Sequence, residues 1–337
     1  MDVVPGYDAV LVVSFGGPEG PDDVMPFLEN VLRGRNVPRE RMLAVAHHYE
    51  RFGGVSPINA QTRALIDALR AELDAHGPRL PIYWGNRNWH PLLSDTLRQM
   101  TADGVRHALA LVTSAYSSYS SCRQYREDVA RAQAEVGPAA PRVTMLRKYY
   151  NHPGFIAANV EHTRVALAAI PAARRDHARI AFTAHSIPLA MARASRYEAQ
   201  LREVSRLVAE GAGGLPWELV YQSRSGPPHQ PWLEPDILDH LRALAGEGVT
   251  DVVIAPIGFI SDHIEVLYDL DAEARALAGE LGLNVARAAT AGTHPAFIGA
   301  IRELIAERVD GVAPRVAGVE GPYWCHDDCC LAGPERV

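Results

Sequence analysis

Ala9-Val-Leu-Val-Val-Ser-Phe-Gly-Gly-Pro18 and, in the second half of the chain, Arg179-Ile-Ala-Phe-Thr-Ala-His-Ser-Ile-Pro188 share one pattern. Each is a short, nearly continuous apolar run, followed by a turn of small or polar residues and closed by proline. Two further pairs follow in the same order. Tyr83-Trp-Gly-Asn-Arg-Asn-Trp-His-Pro91 is matched by Val220-Tyr-Gln-Ser-Arg-Ser-Gly-Pro-Pro228, and Ala108-Leu-Ala-Leu-Val-Thr-Ser-Ala-Tyr-Ser117 by Val252-Val-Ile-Ala-Pro-Ile-Gly-Phe-Ile-Ser261. Matched strand ends in matched order imply a duplicated unit. Periodicity predicts strands at Ala9–Ser14, Leu80–Trp84, His107–Thr113, Arg142–Met145, Arg179–Thr183, Glu218–Gln222, Asp251–Ala255 and Leu283–Ala286. Amphipathic stretches such as Gln61–His76, Phe155–Ile170, Ala192–Glu210 and Ala296–Val309 lie between them. Short apolar strands joined through helices predict parallel sheets flanked by helices on both faces, the α/β class. The turn cluster Asn151-His-Pro-Gly154 marks the boundary, giving domains at 1–150 and 151–310 and a tail at 311–337.

The 337 residues carry 33 Lys+Arg against 40 Asp+Glu, a formal net charge of −7, with 47% hydrophobic and 22% charged residues. This is a globular composition, long enough for two cores. Net acidity without a dense basic run argues against nucleic acid or an anionic membrane as partner. No run approaches the roughly 18 apolar residues of a membrane span, and no basic-then-apolar leader opens the chain, so a cytoplasmic protein is expected. Lys148 is the single lysine, which fits codon bias in a GC-rich genome.

Open α/β sheets bind ligands outside the carboxyl ends of their strands, so the residues just after each strand are the ones to weigh. His185 stands at such an end, where an imidazole can bind a metal or accept a proton near neutral pH. After the seventh strand, Ser261 and Asp262 are placed to cap a helix on which Glu265, Asp269 and Glu273 recur every four residues. That spacing stacks like charges on one face, a pattern suited to divalent-cation delivery or proton removal. Phe15-Gly-Gly-Pro18 offers a flat ligand a ring and close backbone approach. Arg33, Arg35, Arg39 and Arg41 form a basic cluster whose planar forks suit carboxylate or phosphate. No Gly-x-Gly-x-x-Gly, phosphate-binding Gly-x-x-x-x-Gly-Lys or Gly-x-Ser-x-Gly is present, which argues against nucleotide use and a serine nucleophile.

The four cysteines are Cys122 and, in the tail, Cys325, Cys329 and Cys330. Their clustering in a reducing compartment points to metal rather than disulfides. A [2Fe-2S] cluster, a zinc ion and packed thiols all remain open, because Cys-x-x-x-Cys-Cys matches no usual pattern.

Six segments in order resemble the ferrochelatases along nearly the whole chain. They are Phe15–Pro18, His48-Tyr49 through Phe52-Gly-Gly-Val-Ser-Pro-Ile-Asn59, Gly85-Asn-Arg-Asn-Trp-His-Pro91, Thr183–Pro188, Tyr221-Gln-Ser-Arg-Ser-Gly226 and Gly258-Phe-Ile-Ser-Asp-His-Ile-Glu265. The resemblance implies two similar Rossmann-like domains of chelatase type around a porphyrin cleft, and insertion of Fe(2+) with release of two protons. His185 matches the family's catalytic histidine and Glu265 its partner carboxylate, with Asp269 and Glu273 continuing a metal or proton path. Phe15 falls near the ring centre, so no iron-binding phenolate is available there. The polar lip and the tail cysteines look like the actinobacterial-type enzymes that act on coproporphyrin III, with a [2Fe-2S] cluster on Cys122, Cys325, Cys329 and Cys330. Arg33, Arg35, His48, Tyr49, Ser56 and Tyr125 are the matching candidates for propionate contacts. A monomer is expected, in transient contact with a coproheme decarboxylase and an iron donor. The alternatives are a protoporphyrin IX enzyme, a cobalt or nickel chelatase, and a non-catalytic tetrapyrrole or metal carrier on the same fold.

Overall fold

The structure, a computed structural model, describes residues 6–34, 37–227, 229–326 and 329–331. Eight strands form two parallel sheets: β1 (Ala9–Ser14), β2 (Ile82–Asn86), β3 (His107–Val112) and β4 (Arg142–Met145), then β5 (Arg179–His185), β6 (Trp217–Gln222), β7 (Asp251–Ala255) and β8 (Asn284–Arg287). The sheet orders are β2-β1-β3-β4 and β6-β5-β7-β8, the same arrangement twice. All six residues of β1 and all five of β7 are buried, because helices cover both faces of a parallel sheet. Strand order reverses between β1 and β3, and again between β5 and β7. Those switch points open a crevice at the strands' carboxyl ends.

The largest apolar cluster draws on both sheets, joining Val10, Leu65, Leu69 and Leu111 with Phe155, Phe182, Val253 and Phe297. Two helices make the join. Pro153–Ala168 and Pro295–Val309 pack so closely that a Cβ on Gly154 would come 2.2 Å from the Ala296 carbonyl oxygen. The buried Arg147 guanidinium, next to β4, clamps Glu307 with two hydrogen bonds of 2.7 and 2.8 Å.

Beyond shifts of a few residues in the limits of β2, β3, β5, β6, β8 and the helices, the structure departs from the sequence reading around the site in three ways. The stretch Ala192–Glu210 is two helices, Leu189–Arg193 and Tyr197–Ala212, because the chain turns at Ala194–Arg196. Neither Ser261 nor Asp262 caps the acidic helix, which starts at Ile264 with His263 in the N-cap place. Asp262 instead pairs with Arg287 at 3.0 and 3.1 Å. Finally, the acidic helix turns π-helical over Leu267–Ala274, so its carboxylates do not form a simple α-helical stack.

Candidate active site

β5 ends at His185, and hydrogen bonds fix the ring. Nδ1 lies 2.5 Å from the Ser186 carbonyl oxygen, which can only accept, so Nδ1 carries a proton and Nε2 is the nitrogen left for other partners. The Tyr197 hydroxyl donates to the His185 carbonyl at 3.0 Å. His185 Nε2 faces Glu265 Oε2 at 3.6 Å, and His263 Nδ1 stands 3.8 Å from the same oxygen. Both gaps exceed a hydrogen bond. The carboxylate therefore stands between two imidazoles without being committed to either. Burial lowers the pKa of His263 against the pull of Glu265, which favours its neutral form.

The next carboxylate lies deeper. Asp269 accepts hydrogen bonds from Ser223 Oγ and, at 3.2 Å, from Gln222 Nε2. Burial still pushes its pKa up to about 7, and the Glu265 charge adds to the rise. Glu273 is exposed at the outer end, hydrogen-bonded to Tyr268. The result is a graded row: one carboxyl near two imidazoles, one whose pKa is raised to about 7, and one open to water.

The first half supplies the facing wall. Phe15 is half-buried and meets Phe27 edge-on at 6.3 Å. Arg87 lays its guanidinium over Phe15 at 5.7 Å and over Tyr125 at 4.4 Å, and is ion-paired with Asp128. Tyr49, Ser56 and Tyr125 are buried in this wall, with Tyr125 hydrogen-bonded to Thr113. Gly17 lets the wall close, since a Cβ there would lie 2.8 Å from the Ser56 Cβ. His48 stacks on Tyr268 of the opposite half at 3.6 Å with planes 6° apart, and Arg41 donates across to the Ser225 carbonyl at 2.9 Å. Arg33 is exposed in the turn after the helix Pro21–Val31, and Arg35 lies outside the described residues.

A family profile described as Ferrochelatase matches residues 7–309. The chain belongs to the ferrochelatase family. It is 56% identical over 343 residues to the "Ferrochelatase" of Rhodopirellula baltica, covering 100% of this chain and 97% of the relative. It is 53% identical over 344 residues to the "Coproporphyrin III ferrochelatase" of Nocardia farcinica, covering 98% and 97%. Among solved structures, SirB from Bacillus subtilis with Fe3+ shares the fold at a TM-score of 0.57 and 12% identity, covering 89% of this chain and 95% of that one. Family members insert metal into porphyrin.

The cysteines form a second centre. Cys122 sits in the π-helical turn Tyr119–Arg123 after β3, and its sulfur, with those of Cys329 and Cys330, lies within 4.8 Å of the others. Cys325 shares a hydrogen bond with Cys122, and all four thiols are free of disulfides. The Cys325 and Cys330 thiols donating to Cys122 favour its thiolate and hold themselves protonated. Soft sulfur donors from two remote segments thus converge, a set that fits an iron–sulfur cluster or a zinc ion.

Several supporting residues escaped the sequence reading. Gln222 and Ser223 lie inside a quoted motif, and their place after β6 is the signal that points to them. His263 lies two residues before Glu265, close enough in sequence to be considered with it. Tyr197 and Tyr268 carry no local sign, because their roles arise only when distant elements pack.

Proposed function

We propose that the chain inserts ferrous iron into coproporphyrin III, forming coproheme and releasing two protons. The observation that carries the chemistry is the approach of His185 Nε2 to Glu265 at the mouth of the two switch points. Macrocycle metallation must remove two pyrrole N–H protons and bring four nitrogens onto one cation. His185 Nε2 has the lone pair to take a proton or to touch the metal, and Glu265 stabilises the imidazolium that follows. A base of this kind contributes typically 10²–10⁴-fold. Asp269, poised near neutrality, and the exposed Glu273 carry protons outward or metal inward. Phe15 and the Arg87 guanidinium give the ring a flat support, and a wall that grips a bent macrocycle favours the transition state over the planar substrate.

Four propionates distinguish coproporphyrin III from protoporphyrin IX, which has two. Relatives named coproporphyrin III ferrochelatase, at 51–56% identity, support the former. So does the basic lip carrying Arg33, Arg35, Arg39 and Arg41. Arg33, Arg35, His48, Tyr49, Ser56 and Tyr125 are the proposed propionate side of the pocket. Cys122, Cys325, Cys329 and Cys330 would hold a [2Fe-2S] cluster, supplying a one-electron centre; the three sulfurs of Cys122, Cys329 and Cys330 within 4.8 Å of one another, with Cys325 hydrogen-bonded to Cys122, support a metal-binding reading. In the cytoplasm, where such an enzyme works, its product suits a decarboxylase and its substrate an iron donor, each in passing contact with a monomer. No helix among the described residues is long and apolar enough to cross a membrane.

Anaerobic insertion of ferrous iron, followed by the porphyrin spectrum with coproporphyrin III and protoporphyrin IX in parallel, tests this reading. Clear preference for coproporphyrin III is expected. Preference for protoporphyrin would overturn the four-propionate pocket, and no insertion into either would leave only a carrier.

A further inference from the structure

Lysine occurs once in this chain, at Lys148. Lys148 is buried beside the turn that carries Cys122, with 5% of its surface exposed. Its ammonium donates to the Ser114 carbonyl at 2.9 Å and to the Ser121 carbonyl at 2.9 Å, the residue before Cys122. Its backbone N–H donates to the Tyr323 carbonyl at 3.1 Å, two residues before Cys325. The two residues form an isolated antiparallel bridge just beyond β4. Arg147 completes the hold by donating to the Lys148 carbonyl at 3.1 Å. One residue therefore fixes both cysteine-bearing segments, one through its side chain and the other through its backbone. Among the described residues no carboxylate lies within ion-pair distance of the ammonium. A buried cation is costly unless it is hydrogen-bonded or paired; two carbonyls meet this ammonium, and an anionic cluster on the neighbouring cysteines would supply the opposite charge.

We propose that Lys148 is the positioning residue of the cysteine site: it joins the Cys122 turn to the tail and sets the reduction potential of the iron–sulfur cluster held there. This rests on the reading that the four cysteines hold such a cluster. Reduction adds one negative charge to the cluster, so a fixed ammonium beside it favours the reduced form, and weak screening inside the protein enlarges the effect. Its field reaches both Cys122 and Cys325. Backbone hydrogen bonds of the Tyr323 bridge do not depend on the side chain, so a neutral replacement should remove the charge while leaving that bridge in place.

The test uses the full chain purified anaerobically, with iron, zinc and acid-labile sulfide measured first in the unsubstituted protein. Zinc without sulfide there would sink the cluster reading and this inference with it. With sulfide present, dithionite titration under redox mediators compares Lys148→Met and Lys148→Arg. At a fixed potential the ratio of reduced to oxidised cluster should fall at least tenfold in Lys148→Met, which is about 59 mV for one electron. Lys148→Arg, keeping the charge, should stay within about threefold of the unsubstituted ratio. A Lys148→Met cluster of unchanged content and unchanged ratio would overturn the inference while leaving the cluster reading intact. If Lys148→Met does not fold, Lys148→Arg decides alone, because a tenfold departure there would mean that the charge is not what counts.

Discussion

The surroundings of His185 determine which of its nitrogens would act in the proposed mechanism. With Nδ1 committed to the Ser186 carbonyl, only Nε2 can meet a proton or a metal, so removing the ring should remove the chemistry and little else. His185→Ala is expected to lower insertion at least about 10²-fold while leaving porphyrin binding and folding near normal, since the Tyr197 bond goes to the His185 backbone. Turnover close to normal would take His185 out of the mechanism. Glu265→Gln should slow turnover more than it weakens porphyrin affinity, a split read from insertion rates and quenching of porphyrin fluorescence. Asp269 gives a test of opposite sign for stability and rate. Its pKa rises from 3.8 to about 7 on folding, so its proton is bound more tightly in the folded state. The resulting stabilisation is complete below about pH 4 and is lost as pH climbs through 7. Asp269→Asn escapes that loss and should be more stable at pH 8 by on the order of 1–2 kcal/mol, allowing for partial exposure, with no such gain at pH 4. The same substitution should slow insertion and abolish its rise through about pH 7. Urea melts at both pH values and a pH–rate profile check the two halves. His185 and Glu265 were legible in the sequence because the ends of apolar strands are easy to locate. Ser223 and Gln222, which hold Asp269, were not singled out, because nothing in a strand-end motif says which carboxylate will reach it.

At the scale of elements the site depends on how closely the turn after β7 folds back on β5. Gly258 N–H donates to the Thr183 carbonyl at 2.9 Å, and a Cβ on Gly258 would lie 2.7 Å from the Ala184 Cα. That atom is backbone inside a strand with no room to move. Gly258→Ala should therefore push the Glu265 segment away from His185, destabilising the fold by about 1–3 kcal/mol and depressing insertion further than stability alone explains. A variant that melts lower yet turns over normally when folded would show that the approach serves packing only. Strands were the most legible elements: β1, β4 and β7 have the predicted limits, because an apolar run between turn residues can hardly be anything else in a parallel sheet. The acidic helix was legible as a helix but not as a π-helical one. Spacings of four fit an ordinary helix, and the wider turn is a product of tertiary packing that local sequence does not encode. The expected cap failed for a related reason: Arg287, on β8, draws Asp262 away from the helix start.

The molecule as a whole is two copies of one sheet plan that do not stand apart. Duplication could be read from the matched strand ends, but the closing of the cleft could not. The pairs that span it, Arg41 with Ser225 and His48 with Tyr268, join residues far apart in sequence and share no motif. The same is true of the core, where Phe155 and Phe297 meet between the sheets at 5.6 Å between ring centroids. Arg147 and Glu307 are the electrostatic counterpart of that join, with 0% and 3% of their side chains exposed. Arg147 also donates to the Arg315 carbonyl at 2.9 Å, so one guanidinium ties the first half, the last long helix and the chain leading into the tail. Arg147→Met would strand a buried carboxylate, and breaking such a pair from one side typically costs about 3–5 kcal/mol. Replacing both partners, Arg147→Met with Glu307→Leu, removes the stranded charge and should recover most of that loss. Because the pair and the apolar cluster both bridge the halves, calorimetry at fixed metal content should give one transition for the unsubstituted chain, with equal calorimetric and van't Hoff enthalpies. Arg147→Met should shift that transition as a whole. Two separate transitions, only one of them moved by the substitution, would mean that the halves fold independently and that the cleft between them is free to open without disturbing either core.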